Sequence, residues 1–187
     1  EQKADRITAE TKGVAHMKTM KVNDIVTAAL GIALVFLATW LLKVPNGIQG
    51  YFNLGDGFLL LFASVLNPFL AFMVGGVGSA LADITGGYGM YALFTLLIKG
   101  MEAVLVSWLV CRGRSSFRYV AYILGGLLMV GGYFLADAYI NQSWQLSLTG
   151  IPGNLVQAAA GYVIALAAYP LLQKRMHRHP DMHHKTV

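Results

Sequence analysis

Three charged side chains interrupt apolar stretches near the middle of the chain. Asp83 ends a glycine-rich apolar run, and Lys99 and Glu102 lie within the next one. Charge inside a hydrophobic segment is costly and usually marks a functional site. Asp83 falls near the end of its predicted helix, where an acid opposes the helix dipole, so a ligand or partner explains it better. Lys99 and Glu102 share a helix face and could form an ion pair; alternatively, Lys99 reaches Asp83 or a ligand oxygen.

Polar side chains also precede and follow this central region. Asn53 and Asp56 flank a glycine before a short apolar stretch, where Asp56 either caps a helix or contacts a ligand. Asn154 and Gln157 are three residues apart near the start of the last apolar segment and offer neutral donors and acceptors. These groups suit the hydroxyls or ring nitrogens of a small ligand.

Aromatic residues accompany the polar ones. Tyr88, Tyr91 and Trp144 could stack on a planar ligand, although such rings also anchor helices at a membrane surface. Asp137, near the end of another apolar segment, is a further possible partner. No zinc-protease motif, phosphate-binding loop or intramembrane His–Ser pair occurs in the apolar segments, so the sequence does not favour an enzyme. No metal site and no cofactor are expected.

The composition requires that apolar helices position these groups. Of 187 residues, 56% are hydrophobic and 12% are charged, about half the charged share of a soluble domain. The net charge of +5 comes from residues near the ends and in one loop, and no basic stripe indicates nucleic acid. Five segments can cross a hydrocarbon core of about 30 Å. They are residues 22–42, 68–84, 90–111, 119–140 and 152–172.

A sixth, ten-residue apolar stretch at 57–66 is short for a crossing, but the distribution of charge favours one. Basic clusters occur before the first segment, at 112–118 and at 174–178, and the positive-inside rule assigns all three to the cytoplasm. An even number of crossings between the first two clusters requires that 57–66 also crosses. The sequence therefore predicts an all-α integral membrane protein of six helices, with a short second helix and both termini inside.

The two ends differ from this membrane domain. Residues 1–16 are polar, and His16-Met17 resembles the junction left by a common cloning site, which would make Met17 the native start. The membrane domain is assigned to 17–175, followed by a His-rich cytoplasmic tail at 176–187 that is expected to be solvated.

The residues above resemble the S components of energy-coupling factor (ECF) vitamin transporters, of the riboflavin, hydroxymethylpyrimidine or pyridoxine type. The similarity is carried by 53–56, by the run 75–88 and by 95–100. It implies an outward-facing vitamin pocket in a prokaryotic plasma membrane protein without ATPase activity. It also implies docking on a scaffold protein with two ATPases. Ala29 and Ala33, four residues apart on the first helix, match the family's scaffold contact, although such spacing also serves internal packing.

The expected ligand is a small heteroaromatic vitamin held by Asn53, Asp56, Asp83, Lys99 and their amide and aromatic neighbours. Pyridoxine or hydroxymethylpyrimidine is favoured, and riboflavin would need a larger cavity. The alternative from another class is a stand-alone carrier or channel. A carrier would be expected to show an inverted repeat, and none is evident.

Overall fold

Long helices form most of the protein. The structure is a computed structural model that describes residues 22–45, 51–112 and 117–178. Residues 1–16 and the histidines beyond 178 lie outside the described residues. The helices are α1 (Val22–Leu41), α2 (Gly55–Ala63), α3 (Pro68–Phe72), α4 (Gly78–Thr85), α5 (Ala92–Arg112), α6 (Phe117–Ile140), α7 (Trp144–Leu148) and α8 (Ile151–Arg178). Five helical segments of the described chain are long and apolar enough to cross a membrane.

One of these five segments, Pro68–Thr85, contains a change of helical geometry. Asn67 caps its start by accepting a hydrogen bond from the Leu70 amide at 3.0 Å, and Pro68 occupies the first turn. A π-helical turn, Met73–Val77, then joins α3 to α4. The sequence analysis predicted the segment but not this turn.

Two glycines of the π-helical turn allow a close approach to α5. A Cβ atom on Gly75 would lie 2.6 Å from the Lys99 carbonyl oxygen, and one on Gly76 would lie 2.7 Å from the Leu96 carbonyl oxygen. Real Cβ atoms do not approach backbone oxygens so closely, so these positions require glycine. The contact fixes α5 at the level of Lys99.

The short helix α2 lies in the interior of the helical bundle. All of its nine residues except Phe58 are buried, and it packs against α1, α5 and α8. It is about 14 Å long, roughly half the thickness of a bilayer core. Leu59, Leu60 and Phe62 extend from it into the core that α1, α5 and α6 share. That α2 completes a sixth crossing, with both termini inside, stays a prediction.

A small β-hairpin, which the sequence analysis did not predict, covers one end of the bundle. Strand β1 (Lys43–Pro45) pairs antiparallel with β2 (Tyr51–Asn53), with Lys43 opposite Asn53. The chain is therefore mostly helical rather than wholly so. The hairpin brings Tyr51 and Asn53 to the helix ends that carry Asp83 and Asn154.

The connection between the predicted segments 119–140 and 152–172 contains the short helix α7. Ser143 caps it by accepting a hydrogen bond from the Leu146 amide at 3.2 Å. Ser147 donates a hydrogen bond to the Phe134 carbonyl and so ties α7 to α6. The following helix α8 extends past the predicted end at 172 and includes Pro170.

Candidate ligand-binding site

A small polar cavity lies between the β-hairpin and the adjacent ends of α4, α5, α6 and α8. Its volume of about 20 Å³ is room for about one water molecule. Its walls are polar and aromatic. They are formed by Tyr51, Asn53, Asp83, Tyr91, Thr95, Tyr133, Asp137 and Asn154. These residues include two carboxylates and no cationic side chain.

Asp83 has an unsatisfied oxygen at this cavity. The side chain belongs to a residue only 2% exposed, and its Oδ1 accepts a hydrogen bond from the Tyr51 hydroxyl. Its Oδ2 is buried without a hydrogen-bond partner of normal geometry among the described residues, although the Thr95 hydroxyl is close enough to interact with the carboxylate. A buried carboxylate oxygen without a donor is unfavourable. Asp83 Oδ2 is therefore an acceptor available to a ligand in the cavity.

Two further polar pairs form the opposite wall. The Tyr91 hydroxyl donates to Asp137 Oδ1 at 2.7 Å, and the hydroxyls of Thr95 and Tyr133 are 3.0 Å apart. Tyr91, directly before α5, and Thr95 in its first turn are four residues apart, and Tyr133 and Asp137 are four apart on α6. Tyr91 and Thr95 therefore lie on one face of α5, and Tyr133 and Asp137 lie on one face of α6. The two faces meet across the cavity.

A chain of buried hydrogen bonds connects the cavity wall to the interior. The backbone N–H of Asn53 donates to Gln157 Oε1 at 2.8 Å, and Gln157 Nε2 donates to Asp56 Oδ2 at 3.0 Å. Asp56 Oδ1 pairs with the Lys99 ammonium, which also contacts Glu102 Oε2 at 3.2 Å. We call Asp56, Lys99, Glu102 and Gln157 the buried polar network. Each member is at most 2% exposed, so the network fixes α2, α5 and α8 relative to one another.

The ion pairing of Lys99 confirms one expectation and corrects another. The predicted pair with Glu102 is present. The other partner is Asp56 and not Asp83, because α2 brings Asp56 directly to the Lys99 ammonium while Asp83 faces Tyr51 of the hairpin. No ligand-facing position for Lys99 is apparent, since Lys99 does not line the cavity. Its Nζ lies 5.6 Å from the ring centroid of Tyr133, which does line the cavity.

The capping role considered for Asp56 is wrong. Leu54 occupies the N-cap position of α2, and Asp56 lies inside the first turn. A negative charge there is still favoured by the helix dipole. Its carboxylate is committed to Lys99 and Gln157 instead of the helix amides.

Aromatic rings and one cation cover the cavity from the hairpin side. The rings of Tyr51 and Tyr88 are 4.5 Å apart at their centroids, and Lys43 Nζ lies 5.3 Å and 5.5 Å from them. Burial, followed by the charge of Asp83, raises the pKa of Tyr51 well above its usual range. The Tyr51 hydroxyl therefore stays protonated and donates to Asp83.

The predicted site residues divide into three groups. Asn53, Asp83, Tyr91 and Asn154 line the cavity, whereas Asp56, Lys99 and Gln157 form the layer behind it. Tyr88 is half-buried at the cover and does not line the cavity. Trp144 is 61% exposed and packs on Phe134, outside the cavity.

The sequence analysis missed several lining residues. They are Tyr51, Thr95 and Tyr133, and Asp137 was considered only as a possible partner. The spacing of Tyr91, Thr95 and Lys99, each four apart, could have indicated a polar face on α5. Tyr51 could not have been found this way, because the hairpin brings it to Asp83 from 32 residues away.

The small residues of α1 lie on different faces. Ala29 and Ala33 are exposed, together with Val26, Leu30 and Leu37. By contrast, Gly31 is buried against Phe62 and Val74. Ala29 and Ala33 are therefore not packed against the other described residues of this chain. Separately, among residues 22–45, 51–112 and 117–178, no group of His, Cys, Asp and Glu could hold a metal ion.

The fold and the cavity define a membrane-embedded helical protein with a polar site covered by a hairpin at one end of the bundle. A family model described as ECF-type riboflavin transporter, S component, matches residues 19–174. The chain belongs to this family, which confirms the resemblance seen in the sequence. It is thus a membrane transport subunit of the substrate-binding type.

Two relatives match most of the chain. One, described as an uncharacterized protein in gap 3'region from Pyrococcus woesei, is 37% identical over 145 residues. That match covers 76% of this chain and 96% of the relative. The other is the thiamine precursor transporter HmpT of Lactococcus lactis subsp. cremoris, 26% identical over 160 residues. It covers 84% of this chain and 92% of HmpT.

Proposed function

We propose that the protein captures a small heteroaromatic vitamin at the outer face of the plasma membrane for ATP-driven uptake. Hydroxymethylpyrimidine or pyridoxine is the favoured vitamin. The observation that carries this proposal is the buried Asp83 Oδ2, which has no hydrogen-bond partner of normal geometry among the described residues, at a polar, tyrosine-lined cavity. A ring amino or hydroxyl group of the vitamin would donate to it. Asn53 and Asn154 would contact other polar atoms of the ring.

The charge of the cavity supports this class of ligand. Asp83 and Asp137 line it, and its described walls contain no cation. An anionic vitamin would meet two carboxylates in a low-dielectric site, which is unfavourable. A neutral or weakly basic ring with hydrogen-bond donors avoids this repulsion, and the tyrosines offer faces on which it can stack.

The size of the cavity also bears on the choice of ligand. Binding sites for small organic molecules usually exceed about 300 Å³, so side chains must move before any vitamin fits. On the hairpin side, the Tyr51–Asp83 hydrogen bond helps to close the cavity. In the proposed binding step a ligand donor approaches Asp83 while the hairpin shifts outward. A single-ring vitamin demands the smaller displacement.

The buried polar network holds the site in place in this account. Asp56, Lys99 and Gln157 do not touch the ligand directly. Gln157 fixes the backbone of Asn53, and Lys99 lies near the ring of Tyr133, so both act as positioning residues. Tyr88 covers the cavity entrance, where its ring packs against that of Tyr51 at an interplanar angle of 54°.

The proposed partners are a transmembrane ECF scaffold protein and two ATPase subunits. The exposed Ala29 and Ala33 on α1 support this, because small residues allow another helix to approach closely in a bilayer. Transport then uses ATP that the partner subunits hydrolyse. The proposed location is the prokaryotic plasma membrane, with both termini cytoplasmic and the cavity facing outward.

Riboflavin is the second candidate ligand, because the family description names it. We favour a thiamine precursor over riboflavin because the relative HmpT is named a thiamine precursor transporter and because the cavity is small. A stand-alone carrier or channel is the alternative from another class.

Isothermal titration of the purified protein in detergent tests the proposal. The panel consists of hydroxymethylpyrimidine, pyridoxine, thiamine, riboflavin and pantothenate. Tight binding of one single-ring vitamin is expected. Binding of riboflavin alone would replace the favoured ligand, and binding of none would remove the vitamin-capture proposal. Co-purification with a scaffold and two ATPases separates an S component from a stand-alone carrier.

A further inference from the structure

A second, larger cavity lies on the lipid-facing side of the bundle, between α6 and α8. It has a volume of about 500 Å³ and apolar walls. Gly126 and Ala158 form its floor, where a Cβ atom on Gly126 would lie 3.0 Å from the Ala158 Cβ. Leu127 and the exposed Ala159 border it. We call this cavity the α6–α8 groove.

A cationic side chain lies at one end of the groove. Tyr122 and Tyr162 line that end, and Arg118 precedes Tyr122 by one helical turn on α6. The Arg118 guanidinium carbon lies 3.9 Å from the ring centroid of Tyr169 and 5.2 Å from that of Tyr119. Stacking on tyrosine rings holds the guanidinium flat and leaves its edge directed away from the ring faces.

Arg118 lacks an acidic partner in the described chain. It forms no ion pair with residues 22–45, 51–112 or 117–178, and its buried Nε has no hydrogen-bond partner there. Guanidinium groups bind phosphate in a bidentate manner. The Arg118 guanidinium hydrogen-bonds with Tyr119 and Tyr169 but has further donors, so the apolar groove ends beside a cation that has no acidic partner among the described residues.

The dimensions match one leaflet of a bilayer. From Arg118 to Leu127 the helix rises about 14 Å, close to half of a hydrocarbon core of about 30 Å. Tyr119 and Tyr169, beside Arg118, are residues typical of the headgroup level. The apolar part of the groove therefore lies at the depth of the acyl chains and Arg118 at the depth of the phosphates.

We propose that the α6–α8 groove binds one anionic phospholipid, with an acyl chain along Gly126 and Ala158 and the phosphate at Arg118. Charge complementarity and depth favour a lipid over a protein helix as the occupant. The exposed small residues proposed for the scaffold contact are on a different helix, α1. The inference does not depend on the vitamin proposal, since none of the groove residues lines the polar cavity.

Native mass spectrometry of the full chain in detergent tests this inference. The probes are phosphatidylglycerol and phosphatidylcholine with identical acyl chains. The wild-type protein is expected to retain phosphatidylglycerol at least about fivefold more tightly, the effect of one basic residue near an anionic headgroup. Arg118→Gln should remove this preference. Equal retention of both lipids by the wild type, or an unchanged preference in Arg118→Gln, would overturn the proposal.

A second pair of variants tests the apolar part of the groove. Ala159→Leu fills the groove and should lower retention of both lipids, whereas Ala167→Leu, exposed on α8 outside the groove lining, should not. Unaltered lipid retention in Ala159→Leu would overturn the assignment. If Ala159→Leu instead abolished assembly with a scaffold protein while lipid retention persisted, the groove would be a protein contact. Thermal unfolding of the same variants in detergent reports whether they remain folded.

Discussion

The Lys99 ammonium is the only cation of the buried polar network, and its removal provides a quantitative test of that network. Lys99→Met keeps a long apolar side chain but leaves the carboxylates of Asp56 and Glu102 buried without their shared partner. Each of the three residues is 1% exposed. Breaking a buried ion pair by removing one partner typically costs about 3–5 kcal/mol. We expect a loss of stability of this size.

Thermal unfolding of the purified protein in detergent measures the effect. For a chain of this length, a loss of about 3–5 kcal/mol lowers the Tm by about 6–20 °C. The matched control combines Lys99→Met with Asp56→Asn and Glu102→Gln, which removes all three charges together. Replacing a whole buried ionic group is often nearly neutral, so this triple variant should recover most of the lost Tm. An unchanged Tm in Lys99→Met, or a triple variant less stable than the single one, would refute the reasoning.

Three further changes test other parts of the structure. Ala33→Leu on α1 should abolish vitamin uptake in cells that contain the scaffold and ATPases and leave vitamin binding intact, whereas normal uptake would contradict the partner contact. Gly76→Ala should destabilise the protein by about 1–3 kcal/mol, because its Cβ would meet the Leu96 carbonyl oxygen at 2.7 Å; a stability equal to wild type would show that the helices can separate. Tyr51 has a raised pKa in the folded protein, so its contribution to stability is present below about pH 10 and decreases above it. Tyr51→Phe should therefore lose less stability than wild type as the pH rises beyond that value, and parallel curves would contradict this.

Local patterns predicted the elements that depend on local chemistry. The length of the apolar stretches predicted the five long helical segments, because a membrane-spanning helix must cover the bilayer core. The three-residue spacing of Lys99 and Glu102 predicted their contact, since residues three apart share a helix face. Family membership was also evident from the sequence, because the glycine-rich run and the charged residues that follow it are adjacent in the chain.

Long-range contacts were less accessible to sequence reasoning. Asp56 meets Lys99 across 43 residues, and Tyr51 meets Asp83 across 32, so no local period relates them. The π-helical turn at Met73–Val77 lies where α5 approaches Gly75 and Gly76 closely, a contact that is not visible in the local sequence. The division into cavity-lining residues and a positioning layer follows from these tertiary contacts.

The most direct test of the central claim is a paired titration of the wild-type protein and Asp83→Asn with hydroxymethylpyrimidine. Asp24→Asn, a carboxylate-to-amide change in the first turn of α1, is the matched control. Loss of a hydrogen bond to a buried carboxylate is expected to weaken binding by about 1.5–3 kcal/mol, roughly tenfold to a hundredfold. We expect this loss of affinity in Asp83→Asn and no loss in Asp24→Asn. Equal affinity in the wild type and Asp83→Asn would contradict the assignment of the cavity as the vitamin site.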